Sequence, residues 1–286
     1  MSVPDSLSCY GSATGERGLV RMELARTAGK TVISKLRTRA PLLVQKALYP
    51  DSNLPGMAHA YLMSSAGGIL QGDRMEIDII AGSGTSSRIT TQAATKIYKM
   101  NKGYAAQNVT ISAHDGSYLE FIPYQIIPFK SSRFCQQVDI RVGQNTTMVY
   151  SETISAGRTA SGENFDFDIF FLKMAVRNCK GNLLFADAAK LEPGRDDLAG
   201  LFGRKTIWSM IYVITPDFEG IHKLINAAME EDQSMLAGSS ILPHDCGLVI
   251  RMLDDSIDKI RHLTDTTVNI LRNHILLVST EARTNS

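Results

Sequence analysis

Apolar and polar residues alternate along most of the chain. Val20, Met22 and Leu24 are separated by Arg21 and Glu23, and Met75, Ile77 and Ile79 by Glu76 and Asp78. Phe134, Val138, Ile140 and Val142 share one parity, while Arg133, Gln137, Asp139 and Arg141 share the other. Phe165, Phe167, Ile169 and Phe171 interleave with Asp166 and Asp168. Successive side chains of a strand point to opposite faces, so a period of two predicts strands with one buried face. Gly82-Ser83-Gly84, Asp115-Gly116 and Gly181-Asn182 mark turns between them. Helical periodicity is missing until about residue 217. There Ile221, Leu224, Ile225 and Ala228 form one helical stripe, with Asp217 as the expected cap of its first turn. A strand from Gly247 to Leu253 follows. A second helix is expected from Asp255 or Ser256, with Ile257, Ile260, Thr264, Thr267, Val268, Leu271 and Ile275 along one side. The polar tail from Thr280 to Ser286 is expected to fray. No composition shift marks a linker and no repeat of fixed period is visible. The expectation is a single domain over residues 1–286, with a mainly β body at about 18–215 and a helix–strand–helix segment at about 217–278.

Composition removes several functions. The 286 residues carry 30 basic and 29 acidic side chains, a formal net charge of +1, and the charges are spread along the chain. A protein that holds a phosphate backbone is usually basic with clustered cations, so nucleic acid is not an expected partner. A hydrophobic content of 44% excludes a disordered chain. The longest apolar-rich run, Ile207 to Ile214, is far short of the roughly 20 residues that a membrane helix needs, so no membrane partner is expected. Met1 to Tyr10 lacks a basic stretch followed by an apolar run, so no secretory signal is visible. Cys9, Cys135, Cys179 and Cys246 are far apart with no C-x-x-C pair, so reduced thiols and a cytoplasmic location are expected.

Five segments carry candidate chemistry. Gly67-Gly68-Ile69-Leu70-Gln71-Gly72-Asp73 is glycine-rich but leads into a strand with no Gly-Lys-Ser/Thr, which argues against a phosphate cradle. Its glycines read as positive-φ turn positions, with Asp73 bracing the turn. Thr90 to Lys96 is either a strand with a solvated face or a polar interior wall with Lys96 paired to a carboxylate. Glu120 stands in the apolar run Leu119 to Phe129 as a surface break or a buried acid, and Pro123 and Pro128 imply an edge or bend. Ser151 to Glu163 carries Glu152, Arg158 and Glu163. A structural ion pair of Arg158 with either acid is the default, and paired carboxylates for acid/base chemistry the alternative. His244-Asp245-Cys246 reads as a turn ahead of a soft-metal site. Neither a zinc-type cysteine spacing nor a G-x-S-x-G nucleophile elbow is present.

In this order the segments resemble the UreD (also UreH) family of urease accessory proteins. The resemblance rests on Pro41 to Lys46 with Tyr49-Pro50, Gly67 to Asp73, and Thr90 to Tyr98. It continues through Leu119 to Pro123 with Pro128-Phe129, and Gly157 to Phe165, and spans roughly residues 18 to 255. It implies a helical β-stack with a few helices, solenoid-like in body, with two C-terminal helices here. It implies a protein that is not an enzyme, binds UreF, which recruits the GTPase UreG, and docks on the urease apoprotein as part of a hetero-oligomer. It also implies a polar passage for nickel. No tightly bound cofactor is implied, and Ni²⁺ is transient cargo. The family's motif acids match Asp73, Glu120, Glu152 and Glu163. Asp73 and Glu152, with the hydroxyls of Thr91 and Thr95, are expected to line the passage, and Lys96 and Arg158 to brace its wall through ion pairs. The chain departs from the family at Gln71, Phe121 and Tyr124, and in its tail, Thr280 to Ser286. Two other readings compete. One is a β-rich carbohydrate-active enzyme using two of Glu120, Glu152, Asp166 and Asp168, although one tryptophan, Trp208, and 7% aromatics offer few sugar platforms. The other is a bridging scaffold that carries no metal.

Overall fold

The structure is a computed structural model that describes residues 14–231 and 235–284. The alternating stretches become strands. A hairpin of β1 (Arg17–Thr27) and β2 (Lys30–Arg39) is followed by β3 (Leu42–Val44) and β4 (Ala58–Ser64). Next come β5 (Arg74–Ala81), β6 (Ser86–Thr91), β7 (Thr95–Ile97), β8 (Ala105–Ala113) and β9 (Tyr118–Phe121). They lead to β10 (Ile126–Pro128), β11 (Arg133–Val142), β12 (Thr147–Ser155) and β13 (Ile169–Asn178). The rest is β14 (Leu183–Leu191), a short α1 (Leu198–Leu201), β15 (Ile207–Ile214), α2 (Glu219–Glu231), β16 (Leu236–Ile241), β17 (Gly247–Asp254) and α3 (Ile257–Thr284).

Two sheets result. Sheet A has seven strands in the order β14–β13–β11–β8–β5–β1–β2. Sheet B has ten, with β16–β17–β15–β12–β9–β6–β4–β3 in order and β7 and β10 paired beside them. From β4 to β13 the chain repeatedly crosses from one sheet to the other, and the neighbours it leaves within each sheet are parallel. This is a stack of β-solenoid-like coils. Parallel register places like against like: Val20, Ile77, Val109, Val138 and Met174 form one ladder on the inner face of sheet A. Ile89, Phe121, Tyr150 and Tyr212 form a ladder inside sheet B. All nine are at most 5% exposed, and burying such a side chain is worth about 1.5–3 kcal/mol. The coils differ in length, so no fixed period appears in the sequence although the architecture repeats.

The outer faces differ. Sheet A presents charges that pair among themselves, Arg21 with Asp78 at 2.7 Å, Lys35 with Glu23 at 2.9 Å and Arg177 with Asp139 at 3.1 Å. Sheet B is covered by α2 and α3, where Val149, Ile211, Val213 and Ile250 meet Ile221, Ile225, Ile260 and Leu271. The expected α3 stripe is buried as far as Leu271, and the side chain of Ile275 lies outside the described residues.

Several local expectations are corrected. Residues 165–168 do not extend the strand. Phe165 has φ 55° and donates its N–H to the Ala156 carbonyl, so β13 starts at Ile169. Its ring, like that of Phe167, still packs inward. Helical structure precedes residue 217, in α1, because Asp197 accepts the Gly200 N–H and caps a turn too short to show a stripe. Asp217 does not cap α2. It pairs with His274 of α3 at 2.7 Å, and the Phe218 carbonyl takes the first helical N–H, from His222. Of the polar tail, Thr280 to Thr284 continue α3, and Asn285 and Ser286 lie outside the described residues. Among the expected positive-φ glycines of 67–73, Gly72 alone has one, at 82°. Gly68 is required for a different reason: a Cβ there would lie 2.6 Å from the Lys96 carbonyl and the Tyr98 ring.

One buried ion cluster ties α3 to sheet B. His59, Arg88 and Glu120 stand side by side on its outer face. Glu120 is fully buried and accepts Arg272 Nε at 2.8 Å, Arg272 Nη2 at 2.9 Å and the Tyr118 hydroxyl at 2.6 Å. Arg272 also reaches Asp51 at 2.9 Å, and Arg88 approaches Glu120 at 3.5 Å. Removing one partner of a buried pair strands the other charge, which typically costs about 3–5 kcal/mol. Arg272→Ala is therefore expected to lower the free energy of urea unfolding by about that much, and Arg272→Lys to recover little of it, because an ammonium cannot match the carboxylate's two oxygens. A loss below about 1 kcal/mol would show that Glu120 is not sealed by α3.

Candidate functional site

The inner faces are not wholly apolar. On sheet A, Gln107 and Gln136 occupy neighbouring inward positions between the hydrophobic ladders. Opposite them, β12 points Met148, Tyr150, Glu152 and Ile154 inward, all buried. The polar groups meet. Gln136 Nε2 donates to Glu152 Oε1 at 2.7 Å and lies 3.2 Å from the Tyr150 hydroxyl, which bonds Glu152 Oε2 at 2.8 Å. Gln107 Nε2 donates to Gln136 Oε1 at 3.1 Å and extends the chain of bonds. Burial pushes the Glu152 carboxyl up to about 8, against the opposing effect of the Tyr150 hydrogen bond. The Tyr150 hydroxyl can donate to the carboxylate or accept from the acid, so the network serves both protonation states.

Glu152 is a wall between two spaces. One is a cavity of about 200 Å³ that opens at the side of the stack where loops 63–69, 91–96 and 123–126 meet. Its depth is apolar, with Leu62, Ile77 and Phe121, and its mouth polar, with Thr91, Thr95 and Lys96. The other is a void of about 10 Å³ beyond Glu152, bounded by Met210, Tyr212 and Asp187, room for about one water. There Asp187 accepts the Tyr212 hydroxyl at 2.7 Å and Arg251 at 2.9 Å, on the edge strand β14. A cavity mouth, a buried acid and an edge carboxylate thus follow one another across the stack.

The expected site residues separate into groups. Glu152, Thr91, Thr95 and Lys96 share the main cavity. Asp73 lies outside its lining, and its two oxygens accept the N–H groups of Glu16 and Leu70, each at 2.8 Å, which fixes the glycine loop. Glu120 belongs to the α3 cluster on the opposite face of sheet B. Glu163 pairs with Arg158, whose guanidinium lies over the Phe129 ring at 4.2 Å. Lys96 is exposed and enters no ion pair among the described residues, which corrects the expected brace: its strand ends the polar loop, with the side chain outside. His244 and Asp245, at φ 58° and 49°, form a turn. Among the described residues no group of three His, Cys, Asp or Glu side chains is placed to hold a metal ion. Nor do the four acids of the carbohydrate-enzyme reading converge, since Glu152 lines the cavity without Glu120, Asp166 or Asp168. Cys135, Cys179 and Cys246 are free thiols, while Cys9 and the 1–10 stretch lie outside the described residues.

The partners of Glu152 were missed by sequence reasoning. Gln136 shares the parity of Phe134 and Val138, and an amide on an apolar parity was the available signal. Arg272 carried none, because its partner lies 152 positions away.

Comparison with known proteins identifies relatives along nearly the whole chain. The model of the UreD urease accessory protein family matches residues 16–285. The chain is 38% identical over 251 residues to the urease accessory protein UreD of Cenarchaeum symbiosum, covering 86% of this chain and 88% of that protein. It is 36% identical over 245 residues to urease accessory protein UreD 2 of Brucella canis, with 84% and 81% covered. Against UreD of Photorhabdus laumondii the identity is 33% over 271 residues, with 93% and 84% covered. A solenoid-like β-stack with a polar interior and two C-terminal helices is thus the form of a urease accessory protein. The chain belongs to the UreD family.

The elevated Glu152 value has a measurable consequence. A carboxyl whose folded value lies above its ordinary 4.5 favours the folded state fully below that pH, and the benefit is lost as pH rises from about 4.5 to about 8. Glu152→Gln keeps a donor and an acceptor for Tyr150 and Gln136 but cannot ionise. It is expected to raise the melting temperature at pH 8 and to flatten the decline expected of the parent between pH 5 and 8. Parallel pH curves for the two proteins would refute a buried, proton-holding Glu152.

Proposed function

We propose that this protein is the nickel-delivery scaffold of urease maturation. It acts without catalysing a reaction: it binds UreF, which brings UreG, seats the assembly on the urease apoprotein in the cytoplasm, and lets Ni²⁺ cross its interior. Neither nucleic acid nor membrane is a partner. The observation that carries this reading is Glu152, a buried acid that walls both the open cavity and the void leading to Asp187. Family membership supplies the urease context.

The chemistry suits a cargo that must be released. Ni²⁺ binds strongly to imidazole and thiolate, and a conduit must hold its ion weakly enough to pass it on. Threonine hydroxyls at the mouth, one internal carboxyl and an edge carboxylate provide oxygen donors in series. The path includes Glu152, Thr91 and Thr95. Asp73, Glu120 and Glu163 serve it indirectly, by holding the glycine loop, α3 and the Gly157–Glu163 turn.

Co-expression with a urease operon that lacks its own UreD component tests both parts. The parent chain is expected to restore urease activity. Glu152→Ala is expected to co-purify with the accessory proteins and apo-urease, yet to leave urease with roughly tenfold less nickel, the scale of loss when a metal's supporting group is removed. Full nickel loading by this variant would reduce the protein to a bridging scaffold, and failure of the soluble parent chain to restore activity would overturn the family function itself.

A further inference from the structure

Several cations stand on the loops at the side of the stack where the main cavity opens. The main cavity opens beside Lys96, and a second hollow of about 340 Å³ opens beside Lys99, Lys130 and Arg158. Tyr98 stands between them. Its hydroxyl bonds the Gly67 carbonyl at 3.3 Å on one side, and its ring meets Phe129 edge-on at 5.0 Å on the other. Lys102 belongs to the same rim, because Gln71 Oε1 accepts the N–H groups of Asn101 and Lys102, each at 3.1 Å. All five cations are exposed. Arg158 is paired with Glu163, but Lys96, Lys99, Lys102 and Lys130 enter no ion pair among the described residues. Carboxylates on these loops include Glu163, paired with Arg158, Asp166, which accepts the Asn164 N–H at 3.0 Å, and Asp168, paired with Arg133.

On the outer face of sheet A, by comparison, Arg21, Lys35 and Arg177 are each paired with a carboxylate. On a chain of net charge +1, ammonium groups at two adjacent openings, Lys96 at the main cavity and Lys99 and Lys130 at the second hollow, with Lys102 on the loop beside them, are a local excess that repels itself. It also repels a free divalent cation from the mouth where the oxygen donors lie. A covering group with negative charge removes both penalties. Leu70, 53% exposed, and Tyr124, 37% exposed, stand on the same loops. These apolar side chains offer a contact beside the cations that a protein segment can use and a bare phosphate cannot.

We propose that this rim is the docking collar for an acidic segment of a protein partner, which neutralises Lys96, Lys99, Lys102 and Lys130 and changes the opening from cation-repelling to cation-admitting. The docking stands on the charge and exposure of these residues; its consequence for cation entry rests on the proposed cargo path. The isolated protein then takes up little metal from free solution through this mouth, and loading is conditional on the partner being seated.

The test uses the full chain and a fluorescein-labelled glutamate-rich decapeptide as the probe, followed by anisotropy. The parent is expected to bind saturably at low salt and to weaken at least about tenfold at high salt, as exposed charge pairs are screened. Lys96→Glu/Lys99→Glu/Lys130→Glu, with a melting temperature equal to the parent's, is expected to weaken binding by a similar factor at low salt, and the corresponding triple Lys→Arg variant to retain it. Absence of saturable binding by the parent, or equal binding by the glutamate variant, overturns the collar. So does tighter binding of a DNA oligonucleotide of equal charge or of phosphatidylserine vesicles. This assay contains neither nickel nor urease, so it is independent of the delivery reading. In the urease co-expression system the glutamate variant is expected to lower activation and the arginine variant to preserve it. Undiminished activation by the glutamate variant also overturns the collar, while a Glu152-dependent nickel load would still stand.

Discussion

Parallel stacking is the constraint on which the molecule depends. Because each strand sits in register on the one before it, every inward position is repeated from coil to coil, and the interior is assembled in ladders. Apolar ladders such as Val20–Ile77–Val109–Val138–Met174 supply the cohesion. The same rule makes a polar interior feasible, because an amide on one coil finds an amide on the next, as Gln107 finds Gln136. Glu152 is tolerated inside only because this polar rung ends on it from sheet A while Tyr150 reaches it from its own strand. Structural and functional demands are thus met by the same register.

Sheet B carries the asymmetry. Its inner face holds the cavity and its outer face holds the helices, so adjacent residues on one strand take part in unrelated chemistry. Ser151 points toward α3 and Glu152 toward the cavity. On β9, Tyr118 and Glu120 face the helix cluster while Leu119 and Phe121 face the core. Acids from neighbouring motifs therefore end on opposite sides of a sheet, and sequence proximity of Glu120 and Glu152 to other acids says little about which of them meet.

Much of the architecture was legible from the chain. Period-two alternation located β1, β5 and β11, and the i, i+3, i+4 stripe located α2, because these patterns reflect one buried face each. The coil order was not legible, because rungs of unequal length leave no period. The strand misread at Phe165 shows the limit of alternation: those rings do point inward, but from a loop turned by a left-handed residue. Glu152 was identified as a site residue from its family motif, and its environment was not. Its neighbours come from β11 and β8, and only parity hints that Gln136 is internal. Glu120 was left between surface and core, a question that Arg272 decides from the far end of the chain.

The tie between Glu120 and Arg272 also bears on how the protein is made. Glu120 precedes Arg272 by 152 positions, so the acid leaves the ribosome long before the arginine. Until α3 arrives, the outer face of sheet B carries a carboxylate with Arg88 as its remaining cation, and an uncovered apolar surface. A product that stops short of residue 272 keeps both defects permanently and is marked for recognition by chaperones and proteases. The helix thereby makes the stability of sheet B depend on residues made after it, and a copy cut before residue 272 lacks that tie.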